Sequence, residues 1–344
     1  MKRHGNLYEK LTTMENLHLA WQEARRGKSS KPAVRSFGKD PEMNLAGIRE
    51  LLVNKTFQPS PYRTKMIYEP KKRLIYILPF SPDRVIHHAL MQVVEPIWTK
   101  LFISDSYACI RGRGLHAGSR RTMDFVRRNK YCLKLDISSF YPSVDHDIMF
   151  GIIQQKIKCP DTLDLFQKII YCGVPNGKNV PIGNYTSQWM GNLYLHTLDI
   201  FVKQTLRVKD YVRYCDDFCL FHDDKGFLNR AAGEIKSFLA DRLALKLSKC
   251  DQFPVSRGVD FLGYRHFPGY VLLRKSTSVR IRRRLSNLPA LLAAGRISFD
   301  RFRGSVASIN GWMKWANAHN FRLAVEFTRM EDLARHGGIT EAAA

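Results

Sequence analysis

Apolar and polar positions along this chain follow two alternating periods, and the changes of period mark its elements. Apolar residues recur every three or four positions over 17–26 and 45–54, which predicts two helices, with a Gly-, Ser-, Lys- and Pro-rich loop over 27–43. Residues 61–79 hold two β-like runs around the basic turn Lys71-Lys72-Arg73, the pattern of a hairpin. Ser81-Pro82-Asp83-Arg84 reads as a helix start, with Ser81 as cap and Pro82 at the first helical position. Val85, Ile86, Ala89, Leu90, Val93, Val94 and Ile97 give that helix an apolar face, and His87 and His88 on it read as structural.

Further along, the apolar run Tyr131-Cys132-Leu133-Lys134-Leu135 ends at Asp136. Helices are predicted over 147–157 and 162–172. Within 173–189 a loop then feeds a long helix that runs to about residue 206, and another helix covers 227–245. Residues 211–222 place aromatic and apolar residues on both sides of Asp216-Asp217, a β-hairpin with two aspartates at its turn. Residues 259–267 and 270–273 form a second hairpin around Pro268-Gly269, and three helices follow, over 274–284, 297–312 and 321–335.

A turn with two carboxylates is by itself as ordinary as any solvated hairpin tip. A third carboxylate, Asp136 at the end of its own strand, changes the picture. Set side by side, the two elements converge Asp136 and Asp216. Carboxylates so placed hold two cations about 3.5–4 Å apart, the arrangement used for in-line phosphoryl transfer. Mg²⁺ suits the work because it takes oxygen ligands, few carboxylates and substrate phosphates.

Charge points to the same kind of partner. Lys and Arg number 55 against 31 Asp and Glu, a net charge of +24, and a globular chain so basic faces polyanions. A membrane surface is the rival polyanion, but no apolar run approaches the roughly 20 residues of a spanning helix. The N-terminus also has no signal-like apolar stretch, so no membrane association is expected. Seven scattered cysteines without a Cys-x-x-Cys pair argue for reduced thiols, a cytoplasmic location, and neither disulfides nor a zinc module.

The run ending in Asp136 and the Tyr214-Cys215-Asp216-Asp217 turn resemble motifs A and C of reverse transcriptases, in the same order and spacing. The resemblance continues through most of the chain. Tyr107 to Gly114 is similar to the Tyr-x-x-Arg-x-Gly-Arg region, Leu245-Lys246-Leu247-Ser248-Lys249 to motif D, and the hairpin over 259–273 to motif E. At motif B most of the family carries Gln-Gly-x-x-x-Ser-Pro. Here the residues are Ile182-Gly183, then Ser187-Gln188, the form found in reverse transcriptases of diversity-generating retroelements of bacteria and their phages.

The resemblance implies an α+β right hand: fingers over 1–130 with an N-terminal extension, an antiparallel palm sheet over 131–270 with a fingers insertion at about 145–180, and a helical thumb over 271–344. It implies two Mg²⁺ ions, with Mn²⁺ as a substitute, on Asp136, Asp216, Asp217 and the backbone carbonyl of Ile137. Arg63, Lys72 and Arg73 become candidates for the incoming triphosphate, Tyr141 for the floor under its sugar, and Ile182, Gly183 and Gln188 for the base pair. Lys249, or Lys246, would protonate the pyrophosphate. Arg111, Arg113, Gly263, Arg274, Lys275, Arg280, Arg282, Arg283 and Arg284 would contact template and primer. The expected partners are an RNA template, a DNA or RNA primer, deoxynucleotides and a small, basic, helical accessory protein that forms a ring; the expected product is cDNA with errors at template adenines. Two rivals stand beside this reading: a reverse transcriptase of group II intron or phage-defence type, and a basic RNA-binding scaffold with an inactive palm.

Overall fold

The structure is a computed structural model that describes residues 3–68, 72–172 and 177–336. Lys71 of the predicted hairpin turn, and 173–176 of the loop before the long helix, lie outside the described residues. Helices Met14–Arg25 and Pro41–Val53 match the periodicity, with Thr13 and Asp40 as their caps. The predicted loop over 27–43 is wrong in part. A short helix, Pro32–Phe37, forms inside it, and Pro41 begins the next one. Proline at the first helical position has no hydrogen bond to lose there, so a Pro-rich stretch can start helices rather than exclude them.

Strands β1 (Arg63–Ile67) and β2 (Arg73–Ile77) form the predicted antiparallel hairpin. The helix after it begins at Val85, later than expected. Ser81 is extended and caps nothing, while buried Asp83 accepts from the amide and hydroxyl of Ser60 at 2.9 and 2.7 Å. Asp83 is therefore a clasp between the chain entering β1 and the helix leaving β2.

The centre is a four-stranded antiparallel sheet of β3 (Tyr131–Ile137), β4 (Asp210–Tyr214), β5 (Asp217–His222) and β6 (Leu247–Pro254), in the order β4-β5-β3-β6. Its two faces are sorted by strand alternation. Leu133, Leu135, Phe218 and Leu220 join a large core with helix Tyr185–Ile200 and the N-terminal helices, while Cys132, Cys219 and Phe221 join a second core with Phe125 and Phe261. That β6 is a strand of this sheet is not evident in its largely polar sequence; all of it is exposed or half-buried, as an edge strand can be.

The hairpin predicted over 259–273 is broken into three strands, β7 (Val259–Phe261), β8 (Tyr264–His266) and β9 (Val271–Leu273). Leu262 and Gly263 take positive φ of 56° and 80° and reverse the chain inside what reads as one strand. The C-terminal part is helical as expected, but its last segment splits into His319–Ala324 and Phe327–His336 after Lys275–Ala293 and Phe299–Trp315. A relay of hydrogen bonds fastens it to the centre. Trp315 Nε1 donates to Ser119 Oγ at 2.6 Å, Ser119 pairs with His266 Nε2 at 2.6 Å, and His266 Nδ1 meets the Val259 carbonyl at 3.1 Å. The relay is satisfied throughout only when His266 is neutral, with its proton on Nδ1.

Burial holds four histidines neutral: it pulls His87 down to about 3 and His88, His196 and His266 down to about 4. In the unfolded chain the same rings titrate near 6.5. Below that pH the unfolded state takes protons the folded state refuses, so stability is full above 6.5 and is lost as pH falls toward 4. Each ring accounts for about 1.4 kcal/mol per pH unit in that window, about 5–6 kcal/mol per pH unit for the four. Urea unfolding at pH 7 and pH 5 is expected to show a clearly lower midpoint at pH 5; equal midpoints would contradict the neutral relay.

Candidate active site

The turn between β4 and β5 is set from beneath by a buried ion pair. Arg213, fully buried, donates from Nε and Nη2 to the two oxygens of Asp199 at 2.7 Å each. Tyr211 adds a third hydrogen bond to Asp199 at 2.7 Å. The remaining guanidinium nitrogen of Arg213 reaches the Cys215 carbonyl at 3.1 Å and Asn192 Oδ1 at 3.3 Å. Burial alone would pull the Arg213 pKa down, but Asp199 outweighs it and holds the guanidinium charged. Cys215 sits at φ 54°, in the left-handed region, which costs a non-glycine residue about 1–2 kcal/mol. The arginine bond to its carbonyl is one contact that holds it there.

The register of the sheet decides which carboxylates meet. Asp136 lies directly across from Asp217, not Asp216, and the amide of Ile137 donates to the Asp216 carbonyl at 3.3 Å. Asp136 and Asp217 therefore share one face, with Asp216 at the turn beside them. Burial raises the Asp217 carboxyl to about 6, with Asp136 adding to the rise and Lys134 opposing it. One of its oxygens, Oδ1, is buried with no hydrogen-bond partner. Lys134 Nζ stands 3.4 Å from the other oxygen and donates to the Asp260 carbonyl at 2.5 Å.

On the opposite edge, β6 pairs Asp136 with Lys249 and Ile137 with Leu247, so Ser248 is the extra residue of a bulge. Its hydroxyl donates to Asp136 Oδ2 at 2.8 Å. Lys249 makes an exposed ion pair with Asp251 at 3.0 Å, and Lys246 is exposed. Three residues here escaped the sequence reading. Lys134 carried a signal, a lysine inside an apolar strand, and so did Arg213, an arginine just before the aspartates. Ser248 carried none, because a bulge is a relation between two strands.

The other predicted residues gather unevenly. Tyr141 packs on the helix Tyr185–Ile200 where Gly191 leaves room, since a Cβ there would meet its ring at 3.3 Å. Burial, then the nearby Cys215, Cys109 and Asp216, push its hydroxyl pKa up. The β1–β2 hairpin docks on motif B: the Tyr76 amide donates to the Ile182 carbonyl at 2.8 Å. Gly183, at φ 125°, lies so close under Tyr76 that a side chain would run into its carbonyl. Gln188 is exposed on the first turn of the helix, and Ser187 donates to the Pro181 carbonyl at 2.6 Å. Arg63, Lys72 and Arg73 are exposed. Register puts Arg63 and Arg73 on one face of the hairpin together with exposed Lys65, another residue the sequence reading passed over.

Arg113 is not available to nucleic acid in this arrangement. Its guanidinium bonds the carbonyls of Ile103, Ser104 and Ser106 and closes the loop around them. Arg111 is exposed. Gly263 is required by its neighbour, as a Cβ would come within 2.6 Å of the Trp312 ring. Arg274 pairs with Asp260, and Arg284 donates to Ser305 at 2.9 Å. Lys275, Arg280, Arg282 and Arg283 are exposed on the same helix.

Comparison with known proteins decides the family. The model of the reverse transcriptase (RNA-dependent DNA polymerase) family matches residues 65–266, from β1 to β8 and well over half of the chain. The chain belongs to the reverse transcriptase family. That places it among RNA-directed DNA polymerases. It is 24% identical to Protein YkfC of Escherichia coli K12 over 72% of this chain and 76% of that one. It is 25% identical to the group II intron-encoded protein LtrA of Lactococcus lactis over 58% of this chain and 35% of LtrA. The match to the retron Ec73 reverse transcriptase of Escherichia coli is 28% over 43% of this chain and 49% of that enzyme. The alignments thus span about a third of LtrA and half of the retron enzyme.

Reverse transcriptases use divalent metals. Among the described residues no three His, Cys, Asp or Glu side chains already converge as an ion-holding group. The donor chemistry of the site nonetheless fits Mg²⁺, which needs only one or two carboxylates when substrate phosphates complete its shell. The paired Asp136 and Asp217, and the orphaned oxygen of Asp217, are hard oxygen donors of that kind.

Two predictions follow from this geometry. Arg213→Met leaves Asp199 buried and unpaired and is expected to cost about 3–5 kcal/mol of stability, read by urea unfolding; a loss under 1 kcal/mol contradicts the keystone role. Ser248→Ala removes a hydrogen bond to a charged carboxylate, worth about 1.5 kcal/mol or more. It is expected to raise the Mg²⁺ concentration for half-maximal primer extension about tenfold, with Ser248→Thr near wild type. An unchanged Mg²⁺ requirement would count against the orienting role.

Proposed function

We propose that this reverse transcriptase copies a template-repeat RNA into cDNA by two-metal nucleotidyl transfer, with errors at template adenines that diversify a target gene. The observation that carries the polymerase chemistry is the pairing of Asp136 with Asp217 across β3 and β5, beside Asp216 at the turn. Asp136, Asp216, Asp217 and the Ile137 carbonyl would hold the metal ions, which supply Lewis-acid activation of the primer 3′-hydroxyl and neutralise the leaving pyrophosphate. Around them the chain's own residues have separate duties. Arg63, Lys65, Lys72 and Arg73 on the hairpin bind triphosphate as point charges and forks. Tyr141 presses on the sugar and excludes a 2′-hydroxyl. Lys249 delivers a proton toward pyrophosphate. Lys275, Arg280, Arg282 and Arg283 line a helix against the phosphate backbone.

In this reading residues 1–130 are fingers, 131–270 palm and 271–344 thumb. The antiparallel central sheet and the docking of β1–β2 over Ile182 and Gly183 support that layout. The diversity-generating class rests on Ile182-Gly183 and Ser187-Gln188. An aliphatic side chain at 182 cannot offer the hydrogen bonds of the usual Gln amide near the nascent base pair. Looser geometry there penalises adenine pairing most. A ring-forming, basic accessory protein is the partner this class implies.

A second reading is a reverse transcriptase of intron or retron type, favoured by the names of LtrA and the retron Ec73 enzyme. Primer extension on a defined RNA template with Mg²⁺, followed by sequencing, separates the two. Wild type is expected to make product and Asp216→Ala at least a thousandfold less. Errors concentrated at template adenines, and reduced by Ile182→Gln, are expected for the diversifying class. Accurate copying by the wild type assigns the intron or retron type instead.

A further inference from the structure

The catalytic turn carries a thiol whose partner comes from a distant loop. Segment 105–109 runs parallel to the end of β4: Ser106 bridges Arg213, the Arg213 amide donates to the Asp105 carbonyl at 3.0 Å, and the Tyr107 amide donates to the Arg213 carbonyl at 3.0 Å. Carried on for two residues, that register sets Ala108 across from Cys215, so Cys109 is the next residue along at the turn, and the two thiols lie within reach of each other. Their backbones are anchored in one buried network. Asn192 Nδ2 donates to the Ala108 carbonyl at 2.8 Å, Arg213 donates to the Cys215 carbonyl at 3.1 Å, and Arg213 and Asn192 meet at 3.3 Å. Both cysteines stand at φ 54°, an uncommon value for side-chain-bearing residues that persists only where surroundings impose it. The closeness of the thiols is therefore built into the scaffold.

Access also distinguishes this pair. Cys109 is exposed and Cys215 half-buried, whereas Cys132 and Cys219, the other neighbouring thiols, are buried in the second core.

We propose that Cys109 and Cys215 form a modification site for low-molecular-weight disulfides, which convert the pair to an intramolecular disulfide and switch the polymerase off. The Cys109 thiolate attacks one sulfur of glutathione disulfide and expels one glutathione thiolate. The Cys215 thiolate then attacks the Cys109 sulfur of the mixed disulfide and expels the second. Two protein thiols are oxidised, one reagent disulfide is reduced to two thiols, and the two protons pass to the released glutathiones. A disulfide holds its sulfurs about 2.05 Å apart, closer than two hydrogen-bonded thiols. Closing the bond shifts the residue next to Asp216, ties the loop over 110–114 to the turn, and disturbs Tyr141, which lies within electrostatic reach of both thiols.

The switching half of this proposal rests on the polymerase reading of the turn; the bond itself does not. The full-length protein is incubated with glutathione disulfide, digested with trypsin, and mapped by tandem mass spectrometry. Peptide 101–111 is expected joined to peptide 214–225, with the bond on Cys215 rather than Cys219. In parallel, oxidised wild type is expected to lose at least tenfold in primer extension and regain it in dithiothreitol, while Cys109→Ser keeps its activity through the same treatment. Absence of the linked peptide, a bond on Cys219, or equal loss in Cys109→Ser would each overturn the proposal. The mapping needs no activity, so it tests the site even if the protein does not extend a primer.

Discussion

The buried pair of Arg213 and Asp199 is the constraint on which the candidate active site rests. A charge without water around it is expensive, and two such charges persist in a core only when every donor and acceptor is matched. Here the match is nearly complete: two bonds between the pair, a third from Tyr211, and the remaining arginine nitrogen on Asn192 and the Cys215 carbonyl. The pair thereby joins the long helix, β4, the β4–β5 turn and, through Asn192, the segment at Ala108. None of these can shift without leaving a buried polar group unsatisfied.

From that fixed turn the rest of the site follows by strand register. β5 leaves the turn antiparallel to β3, and the pairing brings Asp217 against Asp136. β6 closes the other side of β3, and its bulge aims Ser248 at the same carboxylate. Carboxylates brought together in a half-buried place repel each other, which with burial explains the raised pKa of Asp217. That unfavourable electrostatics is what a divalent cation relieves, and Lys134 on the same face of the sheet offsets part of it meanwhile. The site is thus strained in charge while its backbone is rigid, a combination suited to cations that arrive with substrate.

The roof and the outer wall are attached differently from the centre. The β1–β2 hairpin is held over Gly183 by a backbone hydrogen bond and the absence of a side chain, while its cationic face stays exposed. The C-terminal helices are fastened through the relay from Trp315 to His266, and their basic face also stays in solvent. Exposed cations around an acidic centre are the charge pattern expected of a protein that grips a polyanion and positions metal ions within it.

Much of this was legible in the sequence. Strand periodicity placed Asp136 at a strand end and Asp216-Asp217 at a hairpin turn, and helical periodicity found most of the helices. Local pattern reports which side of an element faces a core, because that depends on residues two to four apart. It is silent on which strand lies alongside which. The tertiary structure alone decided that Asp217 rather than Asp216 faces Asp136, that polar β6 belongs to the central sheet, and that Ser248 bulges toward the carboxylates. It also decided that Arg113 closes its own loop and that Gly263 breaks an apparent strand against Trp312. Each of these depends on a partner far away in the chain, and such pairings are settled by packing, register and the need to satisfy buried polar groups.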